Sequence, residues 1–106
     1  MKHKKIILNH IGYTVMLKDI NKAPKELLEQ VVGCVSCVEE IDKHSSVIWI
    51  KLPIRKIDIP VLGHEIVHVL QNIAIQKNID FKQETEHFGY MYQYIISSFL
   101  DMKYDV

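Results

Sequence analysis

The residues best suited to chemistry are His64, Glu65 and His68, set in the run His64-Glu65-Ile66-Val67-His68. On a helix each residue advances by about 100°, so histidines four positions apart fall about 40° from one another, one turn along the same face. Two imidazole nitrogens offered in this way can reach a single cation, and zinc takes histidine nitrogen at about 2.0 to 2.1 Å. Zinc lowers the pKa of a water it holds toward about 7, which makes a hydroxide-like nucleophile available at neutral pH. Glu65, beside the histidines and not needed as a ligand, is the group to take that proton and pass it to a leaving group. The pattern predicts hydrolysis of a peptide or amide bond. A site that served only to stabilise the fold would have no use for Glu65.

A catalytic zinc keeps three protein ligands and one open position, so another donor must come from a different element. Glu84, Glu86 and His87 are the candidates, grouped after the polar turn Lys77-Asn78-Ile79-Asp80, where a returning helix brings them back toward the motif. On that helix, from about Gln83 to Met102, the apolar stripe is Phe88, Met91, Tyr92, Ile95, Phe99 and Met102. Glu84 lies at its edge, His87 on its shoulder, and Glu86 nearly opposite, so periodicity leaves all three open and angle alone favours Glu84 over Glu86. Tyr90 offers a hydroxyl that could stabilise an oxyanion or orient a ligand, and equally fits an amphipathic side chain with its hydroxyl in water. His10 and His44 stand alone in their segments and are read as structural or solvated.

The motif must be positioned by the rest of a short chain. The segment from Pro60 to about Gln76 contains no proline or glycine after Gly63, and Leu62, Ile66, Val69, Leu70 and Ile73 repeat at helical spacing opposite the histidines. Asp58 and Pro60 mark its start. Upstream, Ile6 to Leu17 is rich in β-branched and aromatic residues and reads as one strand, Tyr13, Val15 and Leu17 alternating with Thr14, Met16 and Lys18 and Gly12 marking a bend or bulge. Pro24 opens a short helix whose apolar positions, Leu27, Leu28, Val31 and Val32, run up to Gly33. Cys34 to Ile41 and Val47 to Leu52 read as a hairpin with a five-residue loop, Asp42 to Ser46. Val47-Ile48-Trp49-Ile50 is apolar throughout, which predicts a central strand covered on both faces and ended by Pro53. The edge of the sheet nearest the metal helix, supplied by either hairpin strand, is a place for an extended substrate to pair.

With 106 residues there is room for one core and one domain, residues 1–106. Thirteen basic and thirteen acidic residues cancel, which removes the electrostatic case for nucleic acid or an anionic membrane as partner. The opening Met1-Lys2-His3-Lys4-Lys5 is basic, but the apolar run Ile6 to Leu8 is cut short by Asn9 and His10, so no export signal is expected. No apolar stretch nears the roughly 20 residues of a membrane span, and a soluble, cytoplasmic protein is expected. Two cysteines, Cys34 and Cys37, are too few for a disulfide framework or a four-cysteine zinc site. In a strand their spacing turns them to opposite faces.

His64-Glu65-Ile66-Val67-His68 followed by Glu84-Thr85-Glu86-His87-Phe88-Gly89-Tyr90 resembles the minimal glutamate-zincins of phages, prophages and bacteria. Those proteins follow the HExxH helix with an E-x-x-small-Tyr segment on the next one. The lead-in Leu8-Asn9-His10-Ile11-Gly12-Tyr13-Thr14-Val15, the short helix and the hairpin are also similar, so the likeness covers most of the chain, although only HExxH and the Glu-Tyr segment are specific. Gly89 stands where alanine is more usual, and the first helix lacks the aromatic cluster of some relatives. The resemblance implies Glu86, four residues before Tyr90, as third zinc ligand beside His64 and His68. It also implies an α+β zincin-like domain in which a small sheet with a hairpin carries the active-site helix and a C-terminal helix donates the third ligand. The expected function is that of a zinc metallopeptidase with Glu65 as general base and a narrow peptide or protein substrate. The alternative is a zincin-fold metal-binding or partner-binding module without turnover.

Overall fold

The computed structural model describes residues 5–30 and 35–101. Strands β1 (Lys5–Leu8) and β2 (Tyr13–Asp19) form an antiparallel hairpin, so the stretch expected to be one strand is two. The break falls at Asn9 to Gly12, where the Ile11 and Gly12 amides donate to the carbonyls of Leu8 and Asn9. Gly12 takes φ +61°, a conformation that side chains with a Cβ resist. A short 3-10 turn (Ile20–Lys22) leads past Pro24 into helix α1 (Lys25–Gln30), which buries none of its residues. The rest of the expected apolar repeat, Val31 to Gly33, and Cys34 with it, lies outside the described residues.

Strands β3 (Ser36–Asp42) and β4 (Ser45–Ile50) make the expected hairpin, but its loop is two residues rather than five. The Asp42 carboxylate explains the tightness: it accepts from the His44 amide at 2.7 Å and the Ser45 hydroxyl at 2.9 Å. These bonds hold its pKa below the usual carboxylate range. Ser45 and Ser46, polar enough to pass for loop, therefore belong to the strand.

The sheet runs β1-β2-β4-β3, with β2 and β4 parallel and the other pairs antiparallel. As expected, β4 is central and Val47, Ile48, Trp49 and Ile50 are all buried. Ile6, Leu8, Val15, Leu17, Ile48 and Ile50 share one face, which packs on helices α2 (Ile59–Gln76) and α3 (Thr85–Phe99). From α2 come Leu62, Ile66, Val69, Leu70 and Ile73, the predicted stripe; from α3 come Phe88, Met91, Ile95 and Phe99. Burial of each such side chain contributes about 1.5 to 3 kcal/mol. Tyr13 is also fully buried on this face, its hydroxyl bonded to that of Ser46. Burial pushes its pKa above the ordinary tyrosine value despite the opposing effect of that bond.

The helix ends set the frame of the site. Asp58 precedes α2 as expected, yet its carboxylate turns back to Arg55, accepting from the backbone amide at 2.9 Å and the guanidinium at 3.0 and 3.2 Å. The guanidinium holds the Asp58 carboxyl below the usual range. After α2 the chain reverses through Asn78, at φ 52°, and Asp80, which accepts from the amides of Lys82 and Gln83. Helix α3 is shorter than expected at both ends, and Met102 lies outside the described residues. Among the described residues no helix is long and apolar enough to cross a membrane.

Candidate metal centre

Because Leu62, Ile66, Val69 and Ile73 are drawn fully into the core, α2 must present His64 and His68 on its outer side, and both rings are exposed. They lie 4.9 Å apart between centroids, edge to face at 72°, with their Nε2 atoms 3.2 Å apart. Two nitrogens bound at about 2.0 to 2.1 Å to one tetrahedral centre are about 3.3 to 3.4 Å apart, so the pair stands within about 0.2 Å of the spacing zinc needs. His68 Nδ1 is 3.2 Å from Gln71 Oε1, a contact that holds the ring on its far side from His64.

Glu65 lies between the two histidines in sequence but faces inward, 6% exposed. A buried carboxylate without a partner is strongly disfavoured. Here the partner is Ser36, whose hydroxyl donates to Glu65 Oε1 at 3.1 Å. Ser36 sits on the core face of β3 opposite Ile50, itself buried, so the two polar groups are satisfied by one another. Ser36 was not legible as a site residue in the sequence. The register of β3 alone turns it toward α2, and the bounds expected for that strand did not fix the register.

Together His64, Glu65, His68, Ser36, Cys37, Val38 and Asn72 line a cleft of ≈ 390 Å³ between α2 and the edge strand β3. Ser36 meets α2 at Glu65, and Glu40 accepts from Gln76 Nε2 near the far end of the helix, so strand and helix run in the same direction. Lys77 Nζ donates to His44 Nδ1 at 2.7 Å and ties the end of α2 to the β3–β4 turn. Of the expected alternatives for the strand beside the metal helix, β3 is therefore the one at the edge, and β4 is interior.

Comparison with family models, with curated proteins and with solved structures finds no match.

The donor set is a pair with an acid beside it. Among the described residues no group of three His, Cys, Asp or Glu side chains is arranged to hold a metal ion. Glu84 and Glu86 are exposed at the start of α3 and do not join His64 and His68. His87 is bonded instead to His10, and Tyr90 lines the cleft beside those two residues rather than the one beside Glu65. The rotation of α3 accounts for this: Phe88, Met91, Ile95 and Phe99 enter the core, and Phe81 stacks on Phe88 at 4.6 Å. That setting leaves Glu86 and Tyr90 outside. The two imidazoles of His64 and His68 and the buried carboxylate next to them nevertheless suit zinc better than a cation preferring oxygen ligands.

Proposed function

We propose that this chain is a zinc-dependent metallohydrolase that cleaves a peptide or amide bond. The observation that carries the proposal is the convergence of the His64 and His68 Nε2 atoms, 3.2 Å apart, beside the Ser36-bound carboxylate of Glu65. Zinc supplies a Lewis acid that polarises a carbonyl and acidifies water. His64 and His68 would hold it through Nε2, with Gln71 beside His68 Nδ1 to keep that ring oriented. Glu86, at the start of α3, is our assignment for the third donor, on the resemblance of its segment to the glutamate-zincins.

Glu65 moves the proton. Ser36 engages Oε1; the second oxygen is the one assigned to accept a proton from the attacking water and return it to the leaving nitrogen. Cys37 and Val38 of β3 form the opposite wall of the cleft. The outer edge of β3 is our assignment for the substrate backbone, where main-chain hydrogen bonds align an extended peptide past the histidines.

The test is elemental analysis of the purified protein together with Glu65→Gln and Glu86→Ala variants, each then assayed on an unbiased peptide library. One equivalent of zinc in wild type and Glu65→Gln, less in Glu86→Ala, and cleavage by the wild type alone are the expected results. A wild type that takes up no zinc sinks the proposal. The separation of Glu86 from the histidines favours a second reading, a zincin-fold module that binds metal or a partner without turnover. Stoichiometric zinc with no cleavage of any peptide would select it.

A further inference from the structure

β1 is a terminal strand of the sheet, and among the described residues no strand pairs with its outer side. The register fixes which backbone groups that side carries. The Thr14 amide donates to the His44 carbonyl at 2.8 Å, so the polar groups of Thr14 turn toward β4. Along a strand such groups alternate sides, which turns those of Tyr13 and Val15 to their partners Leu8 and Ile6 and leaves the N–H and C=O of Lys5 and Ile7 directed outward. Beside this edge lies a cleft of ≈ 410 Å³ that shares no lining residue with the one beside Glu65. Ile7, Tyr90, Met91 and Tyr94 line it, and His10 and His87, bonded to one another, stand at the end next to the β1–β2 turn. Ile7 is 48% exposed, Tyr90 49% and Tyr94 40%, so three large side chains in contact with water border one row of outward-directed backbone groups.

We infer that the outer edge of β1 takes up an extended, acidic segment of a partner protein as an added strand. Main-chain bonds to Lys5 and Ile7 align the segment, and its side chains alternate between two surroundings. Those on the side of Ile6 and Leu8 enter the cleft against Tyr90, Met91 and Tyr94 and must be apolar. Those on the other side lie across from Ile7 and Lys5, an aliphatic residue opposite the first and a carboxylate opposite the second. Charge selects the partner. No carboxylate lines the cleft, Lys5 is exposed at the edge, and the chain carries Lys2, Lys4 and Lys5 before its first acidic residue, Asp19. A second copy pairing through its own β1 brings lysines and no carboxylate, so it leaves Lys5 unmatched. The inference does not depend on the proposed hydrolysis, whose substrate is assigned to β3 at the opposite edge of the sheet.

The probe is the peptide Ser-Leu-Val-Leu-Glu-Glu with fluorescein at its amino end. Paired antiparallel to β1, it turns both leucines to the cleft and sets the valine opposite Ile7 and the first glutamate opposite Lys5. Binding is read by fluorescence anisotropy on the full chain carrying Glu65→Gln, which leaves this edge untouched and removes the proposed base, so the probe stays whole. Saturable binding of one equivalent is expected, weakened about tenfold or more by each of three changes. Ile7→Pro deletes the outward N–H at an edge position, where proline is tolerated. Tyr90→Ala removes an exposed wall of the cleft. N-methylation of the valine blocks its bond to the Ile7 carbonyl and leaves the protein unchanged. Lysine in place of both glutamates should weaken binding at low salt and do so far less at about 1 M. Circular dichroism checks the fold of Ile7→Pro; should that variant not fold, Tyr90→Ala and the N-methylated probe decide. No binding, full affinity for the N-methylated or the lysine probe, or full affinity in either folded variant overturns the inference. A dimer in sedimentation equilibrium that Ile7→Pro dissociates also overturns it, by giving the edge to a second copy.

Discussion

Ser36 and Glu65 satisfy each other in a place where either alone would be a buried, unpaired polar group. Replacing Ser36 by alanine should lower stability by about 1 to 3 kcal/mol, the desolvation penalty of an abandoned partner. If the proposed hydrolysis holds, it should also reduce kcat while zinc content is unchanged, and Ser36→Thr should recover part of both losses. Equal kcat in wild type and Ser36→Ala would remove Ser36 from the chemistry. On the proposed mechanism Glu65→Gln keeps the shape and would lose the base, so a fall of about 10² to 10⁴ in kcat with zinc retained is expected. Tyr13 makes a prediction at the alkaline end. Its pKa is raised in the folded chain, so the stability it contributes is complete below the unfolded value near 10 and is lost as pH rises through the folded one. Denaturant midpoints measured upward from pH 9 should therefore fall, and in Ser46→Ala, where the hydroxyl loses its partner, the unfolding should be easier at every pH.

Helix α2 was the most legible element, because five aliphatic residues and two histidines on opposite faces leave one way to lay it on a core. The two hairpins were less so. Ile11 continues the apolar character of β1 across a turn, and Ser45 and Ser46 look like loop until Asp42 is seen to gather them. The rotation of α3, which decides what Glu86, His87 and Tyr90 can reach, depends on Phe81 stacking on Phe88, a contact between residues whose pairing no periodicity signals. Gly63 shows a constraint of the same kind. A Cβ there would stand 2.5 Å from the Tyr92 hydroxyl oxygen but 3.7 Å from the ring carbon that bears it, so the glycine makes room for one atom of α3. Gly63→Ala should destabilise through overpacking by about 1 to 3 kcal/mol, less about 1 kcal/mol gained in helix propensity. With Tyr92→Phe the clash is gone, and the double variant should match or exceed Tyr92→Phe alone in urea denaturation. If adding Gly63→Ala to Tyr92→Phe is as harmful as adding it to the wild type, the contact is not the reason for the glycine.

For the molecule as a whole, the zinc proposal predicts that chelation lowers the melting midpoint and that zinc at a hundredfold excess over its dissociation constant restores about 2.7 kcal/mol, an effect absent from His64→Ala. The acid limb of stability has identifiable contributors. Asp42 and Asp58 have lowered pKa values in the fold, so what they contribute is present above the unfolded carboxylate range and is lost as pH falls through their folded values. Asp58→Asn should flatten that limb in an acid titration followed by circular dichroism. The strand order has a further consequence, for the path by which the chain folds. β1–β2 and β3–β4 are each closed by a short local turn, while β2 and β4, paired from Thr14 with Ser45 to Asp19 with Ile50, meet only after α1 and β3 have been traversed. Local hairpins form within about 10 μs, and contacts between distant segments set the slower rate. Trp49, the single tryptophan, lies in that seam opposite Lys18, so its fluorescence should report the slow phase of refolding. Ser36 and Glu65 both belong to the β3–β4–α2 side of this late closure, so the buried acid can meet its partner before the two halves of the sheet are joined, and that bond should outlast the seam when the chain begins to come apart.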